Sequence, residues 1–150
     1  MLSTTAPNRR EILSAEESVT RLLHDLRTKQ DRLIRAAGGL LTEGAVARLR
    51  RTSPQDIQQR WRKRELLAVY VKSAWQYPAM QFDALGETPD GLTEAIRATI
   101  DRGPWGTLEF LLTENEELNS MTPLAALRVG AEPARQARRL LARLEADTYT

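Results

Sequence analysis

The side chains with the most recognition chemistry in this sequence are Gln55, Gln58, Gln59, Arg62 and Lys63, all within PQDIQQRWRKR at residues 54–64. A glutamine amide offers a donor and an acceptor that match adenine, and a guanidinium matches guanine or a phosphate. Covalent chemistry has no comparable set. The only histidine is His24, and there is no cysteine, which excludes thiol catalysis, disulfides and zinc-thiolate sites. Glu114, Glu116 and Glu117 stand close together but lack the glycine-centred spacing of a calcium loop. Gly38–Gly39 follows no strand and precedes no Lys-Ser/Thr pair, so it is not a phosphate loop. The expectation is a binding protein with no enzymatic activity, no metal and no cofactor.

The recognition side chains need a helix to present them. Ile57 and Trp61, four residues apart, turn to a neighbouring helix and rotate the glutamines, Arg62 and Lys63 outward. Ser53 is placed to cap that helix, Pro54 to be its first residue and Asp56 to suit its positive end. The same N-terminus favours a phosphate. Thr42 caps the helix before it, with Ala45, Val46 and Leu49 inward, and a tight turn at Arg51–Thr52 joins the two. Next come LLAVYV, the small turn Lys72–Ser73–Ala74, and WQYP. This predicts two short strands with Lys72 at their tip, in reach of a backbone phosphate. The order helix, turn, helix, strand, strand over residues 41–78 is that of a winged helix-turn-helix, and its partner would be operator DNA read in the major groove.

Flanking segments complete the plan. Residues 1–13 read as a flexible tail, and Ser14 with Glu17 marks a helix start. Val19, Leu22, Leu23, Leu26, Leu33, Ile34 and Ala37 then form one apolar stripe, ended by Gly38–Gly39. That helix is either a core helix or the contact of a homodimer over residues 14–37. DALGETPDG at 83–91 reads as the boundary between a DNA-binding domain (14–82) and a helical domain (83–150). In the latter, LTEAIRATID is a helix, Gly103–Pro104 stops it, and Trp105 opens another. Thr122–Pro123 restarts the chain as cap and first residue, Gly130 ends that helix, and Pro133 opens the last. Its Ala137, Leu140, Leu141 and Leu144 face inward, with Arg135, Arg138, Arg139 and Arg143 on the other side. Trp105, Leu118, Pro123 and Leu127 read as core and turn residues.

Charge divides along the same line. Residues 1–82 hold 15 Lys and Arg against 8 Asp and Glu, and residues 83–150 hold 7 against 12, which together give the net +2. A basic half and an acidic half imply two different partners. With 41% hydrophobic and 28% charged residues the composition suits a globular, mainly α domain. No apolar run reaches the ~20 residues that span a bilayer. The polar start MLSTTAPNRRE is unlike a secretory signal, so no membrane association and a cytoplasmic location are expected.

From PAMQFDALGETPDGL through GPWGTLEFLLTENEELNSMTPLAALRVG to the closing helix, residues 78–143 resemble the toxin-binding domain of Xre/MbcA/ParS-type antitoxins. Asn115, Leu118, Thr122, Pro123, Leu127 and Gly130 stand where such sequences carry N…L…TP…L…G. RKRELLAVYVKSAWQYPAMQFD resembles the winged version of these proteins and, more loosely, phage excisionase-type readers. Ser120–Met121 departs from the pattern, where a glycine before the small-residue–Pro step is commoner, and so does Phe110–Leu111, where a second tryptophan is frequent. The resemblance implies an antitoxin that represses its own operon and neutralises a RES-domain-type toxin acting on NAD. It also implies that the C-terminal end, at Arg138, Arg139, Tyr149 and Thr150, meets the toxin's active-site entrance. Those two arginines suit a solvated helix face equally well. A stand-alone DNA-binding regulator without a toxin is the alternative.

Overall fold

The computed structural model describes residues 6–149, with only the backbone of Tyr149. These described residues fall into two units, divided between Arg32 and Leu33. They are mainly helical with one small three-stranded antiparallel sheet. Among them no helix is long and apolar enough to cross a membrane.

Helix α1 runs Arg9–Ala36 and begins earlier than the Ser14–Glu17 pattern suggested. Asn8 and Glu11 form the capping box instead: each backbone N–H donates to the other's side chain, at 3.0 and 2.9 Å. Ser14 lies inside the helix, where its carbonyl accepts from the Ser18 hydroxyl. Both pairs have the same spacing, and the earlier one wins because nothing between residues 9 and 14 breaks a helix.

In the second unit, strand β1 (Leu40–Leu41) precedes α2 (Glu43–Arg50) and α3 (Pro54–Arg62), which lead to β2 (Val69–Val71) and β3 (Ala74–Pro78). The strands lie in the order β1-β3-β2. Thr42 and Ser53 cap α2 and α3 through their hydroxyls, as their positions required. Between the helices Arg51 takes a left-handed conformation (φ 56°), and Thr52 N–H reaches back to the Ala47 carbonyl at 2.9 Å. This is a Schellman turn made without glycine. Lys72 and Ser73 are both left-handed (φ 51° and 63°), giving the two-residue turn whose twist suits a hairpin.

The helical remainder comprises α4 (Leu92–Ala98), α5 (Gly103–Leu112), α6 (Pro123–Val129) and α7 (Ala131–Tyr149). Thr122 caps α6 from its hydroxyl at 3.1 Å, and Gly130 closes it. Helix α7 starts two residues before Pro133, which sits in its first turn, where a missing N–H costs nothing.

Two apolar clusters lie in this unit. Val46, Ala47, Ile57, Leu66, Ala68, Tyr77 and Phe82 form the smaller. The larger joins the inner faces of α4 to α7 with Ala37, Leu67 and Val69. The run Leu66–Val69 is buried throughout and alternates, with Leu66 and Ala68 in one cluster and Leu67 and Val69 in the other. Extended backbone sends successive side chains to opposite sides, so this one segment serves both. Gln81, fully buried, braces it: its amide accepts from Leu67 N–H and donates to Leu67 C=O, both at 2.8 Å, and to Pro78 C=O at 3.0 Å.

The boundary expected at 83–91 therefore falls inside the second unit. Its polar composition reflects turn chemistry. The Asp83 carboxylate accepts from Leu85 and Glu87 N–H, and these backbone bonds hold its pKa below the ordinary value. Arg50 donates to the Gly86 carbonyl at 2.8 Å, and Arg128 of α6 donates to the carbonyls of Met80 and Phe82. Gly91, at φ 97°, would place a Cβ 2.7 Å from Leu127 Cδ2. Gly91→Ala is expected to destabilise the fold by roughly 1–3 kcal/mol, read from the urea midpoint. An unchanged midpoint would show that this turn relaxes freely.

Candidate nucleic-acid interface

Helix α3 has one buried side. Ile57 is fully buried against Val46 and Ala47 of α2, and Trp61 packs partly over the same cluster. By helical rotation the opposite side belongs to Gln55, Gln59 and Arg62. All three are exposed. They make no hydrogen bond or ion pair through their side chains among the described residues.

Gln58 is a different case. Its Nε2 donates to Glu43 Oε2 on α2 at 3.1 Å and it is only half-exposed. It sits on the flank of the helix, about 100° from each sequence neighbour, and it stitches α3 to α2 instead of joining the outward set. The first turn is similarly occupied. Asp56 accepts from the Thr52 hydroxyl at 3.0 Å and from Arg60 Nε at 2.9 Å. Hydrogen bonds from Arg60 and Thr52 hold its carboxyl below the usual range, and Arg60 is raised in turn. Arg60 also meets Glu65 at 3.1 Å. A carboxylate at this N-terminus repels phosphate, so the phosphate-binding helix end expected there is filled by the protein's own groups.

Free positive charge gathers at the other end of α3. Lys63 is its C-cap, Arg64 is left-handed (φ 62°), and Glu65 N–H bonds back to Arg60 C=O at 2.8 Å. This second Schellman-like closure ends the helix at the basic run Arg62, Lys63 and Arg64. All three are exposed, and none has an ion pair among the described residues. Arg64 was missed in the sequence, although it continues the same basic run. Lys72, also exposed and unpaired among the described residues, stands at the hairpin tip as expected.

An aromatic bridge connects helix to hairpin. Trp61 of α3 and Trp75 of β3 have ring centroids 4.6 Å apart, and Trp75 meets Tyr70 of β2 edge-on at 5.3 Å. Such pairs contribute about 0.5–1.5 kcal/mol beyond burial and fix where Lys72 stands relative to Arg62. Tyr70 and Trp75 remain 55% and 40% exposed, enough for a ring face to touch a sugar or base. The alternation of Tyr70 with Val69 and Val71 was the available signal for this outer face.

The candidate C-terminal contact residues are not brought together comparably. Arg138 and Arg139 are exposed on α7, and Arg139 lies 3.6 Å from Glu132, which also pairs with Arg135 at 2.9 Å. Arg143 pairs with Glu117. Arg138 has no ion pair among the described residues. Thr150 and the Tyr149 side chain lie outside the described residues. Leu118, Pro123 and Leu127 are buried and Trp105 packs against the large cluster, as core residues should. His24 is exposed, and the described residues contain no cluster of three metal-ligating side chains.

No family model matches the chain, and no curated protein or solved structure matches it either.

Proposed function

We propose that this chain is a winged helix-turn-helix DNA-binding protein, with α3 as the reading helix and the β2–β3 hairpin as the wing. The observation that carries this reading is the face made by Gln55, Gln59 and Arg62, extended by Lys63, Arg64 and Lys72. All six are exposed, without ion pairs among the described residues, on a helix and hairpin locked together by Trp61 and Trp75. The element order α1-β1-α2-α3-β2-β3 supports it, with β1 and β3 paired antiparallel across the two short helices in sequence. The lysine and arginine side chains would supply affinity through phosphates, and the glutamine amides the choice of sequence.

The biological role we propose is that of an antitoxin that binds a RES-domain-type toxin and represses its own operon. That part rests on the resemblance of residues 78–143 to Xre/MbcA/ParS-type antitoxins, with Arg138, Arg139, Tyr149 and Thr150 as the toxin-facing candidates. The alternative role is a stand-alone regulator. Fluorescence anisotropy of the full chain on the duplex preceding its own reading frame tests the DNA reading. Affinity roughly a thousandfold or more above that for a scrambled duplex is expected; equal affinities would refute it. Co-purification with a RES-type protein from the native host supports the antitoxin role, and recovery without one favours the stand-alone regulator.

A further inference from the structure

Over residues 9–32, α1 has no buried residue. Yet it carries a heptad stripe: Ile12, Val19 and Leu26 are seven apart, and Ala15 and Leu22 fall at the intervening positions. Ile12, Val19, Leu22 and Leu26 are between 43% and 59% exposed. A helix whose apolar stripe faces water gains little from propensity alone and is stabilised chiefly by covering that stripe.

We propose that α1 pairs with α1 of a second copy of this chain as an antiparallel two-stranded coiled coil, with the two-fold axis passing between Thr20 and Arg21. In that register Val19 lies level with Leu22 of the second copy, and Leu26 with Ala15. Each layer sets a larger side chain against a smaller one, the arrangement that fills a seam evenly. Glu11 then flanks Arg32 of the second copy, and symmetry makes this opposite-charge pair twice. Asp25 flanks the uncharged Ser18. Lys29 falls at the end of the seam beside Ile12, where its long stem covers apolar surface.

The parallel arrangement is disfavoured by the same residues. It stacks Lys29 on Lys29 and Ala15 on Ala15 within the seam, and it sets Glu11 beside Glu16. Like charges and a void replace opposite charges and filled layers. The self-complementarity of the stripe is what selects a second copy as the partner, since both members of each matched pair lie on this one helix.

The inference stands apart from the DNA reading, and its test contains no DNA. Sedimentation velocity of the full chain is expected to show a dimer, and the Leu22→Glu/Leu26→Glu double variant a monomer. Arg32→Glu leaves every apolar residue in place and sets Glu11 against a carboxylate. It is expected to weaken dimerisation roughly tenfold at low ionic strength and less at high. Because the chain lacks cysteine, Arg10→Cys gives one spin-label site per copy. Residues 10 and 10 of the two copies lie 21 residues apart along the axis in this register, so electron–electron distance measurement should read roughly 30 Å at 1.5 Å per residue. A parallel pair would read below about 20 Å by the width of two helices. A monomeric wild type, a dimer that survives the double glutamate variant, or the short distance would each overturn the proposal.

Discussion

Replacing Arg62 and Lys63 together by alanine is expected to weaken operator binding by roughly 10–100-fold near physiological salt and to lower the salt dependence by about two phosphate equivalents. Both side chains are exposed and without ion pairs among the described residues, so removing them leaves no orphaned partner behind. Lys63 and Arg64 stand at the helix end, where the DNA reading puts contacts to phosphate. Arg62 shares the outward face with Gln55 and Gln59, so its loss should also relax the choice of base at one position. The comparison variant is Arg139→Ala, which removes an arginine already paired with Glu132 and should leave DNA affinity unchanged. Anisotropy titrations across a range of salt concentrations separate the two terms. If the double variant keeps both affinity and slope, the DNA reading fails.

Gln81→Leu is expected to cost the fold roughly 3 kcal/mol or more. The substitution is close in volume, so packing changes little. What is lost is three hydrogen bonds, and Leu67 N–H, Leu67 C=O and Pro78 C=O are left without the side-chain partner they have now. Each buried group stranded in this way costs about 1–3 kcal/mol, more than the bond contributes while made. Gln81→Glu should be no rescue, because a carboxylate can accept from Leu67 N–H but cannot donate to the two carbonyls. Urea denaturation reads the effect. A midpoint within ~0.5 kcal/mol of the wild type, the range of an ordinary surface change, would mean that the segment finds other partners.

Local chemistry was legible and long-range pairing was not. Ser53–Pro54 and Thr122–Pro123 announce their helices because a capping hydroxyl and a fixed φ act within four residues. The hairpin was visible from its flanking β-formers, although Lys72–Ser73 lacks the usual Asn-Gly. Strand β1 was invisible, since two residues carry no periodicity and its partners, Tyr77 and Pro78, are far along the chain. Gln58 read as an outward amide because helical rotation places it near that side, and only the structure sets Glu43 within its reach. The 83–91 turn read as a linker because polar, glycine-rich composition is common to linkers and to turns tied down by Arg50 and Arg128. Its packing depends on residues 36 or more positions away.

Leu66–Val69 has a thermodynamic meaning. Four consecutive residues act as a party wall with an apolar room on either side. Neither room can open alone without wetting two of the four side chains, and burying a Val or Leu contributes about 1.5–3 kcal/mol. Sub-global opening along this wall is therefore expensive, and the two clusters are expected to melt together as one cooperative foldon. Severing the chain at the polar turn after Phe82 would not release a finished half, because Leu67 and Val69 belong to the core on the far side of the cut.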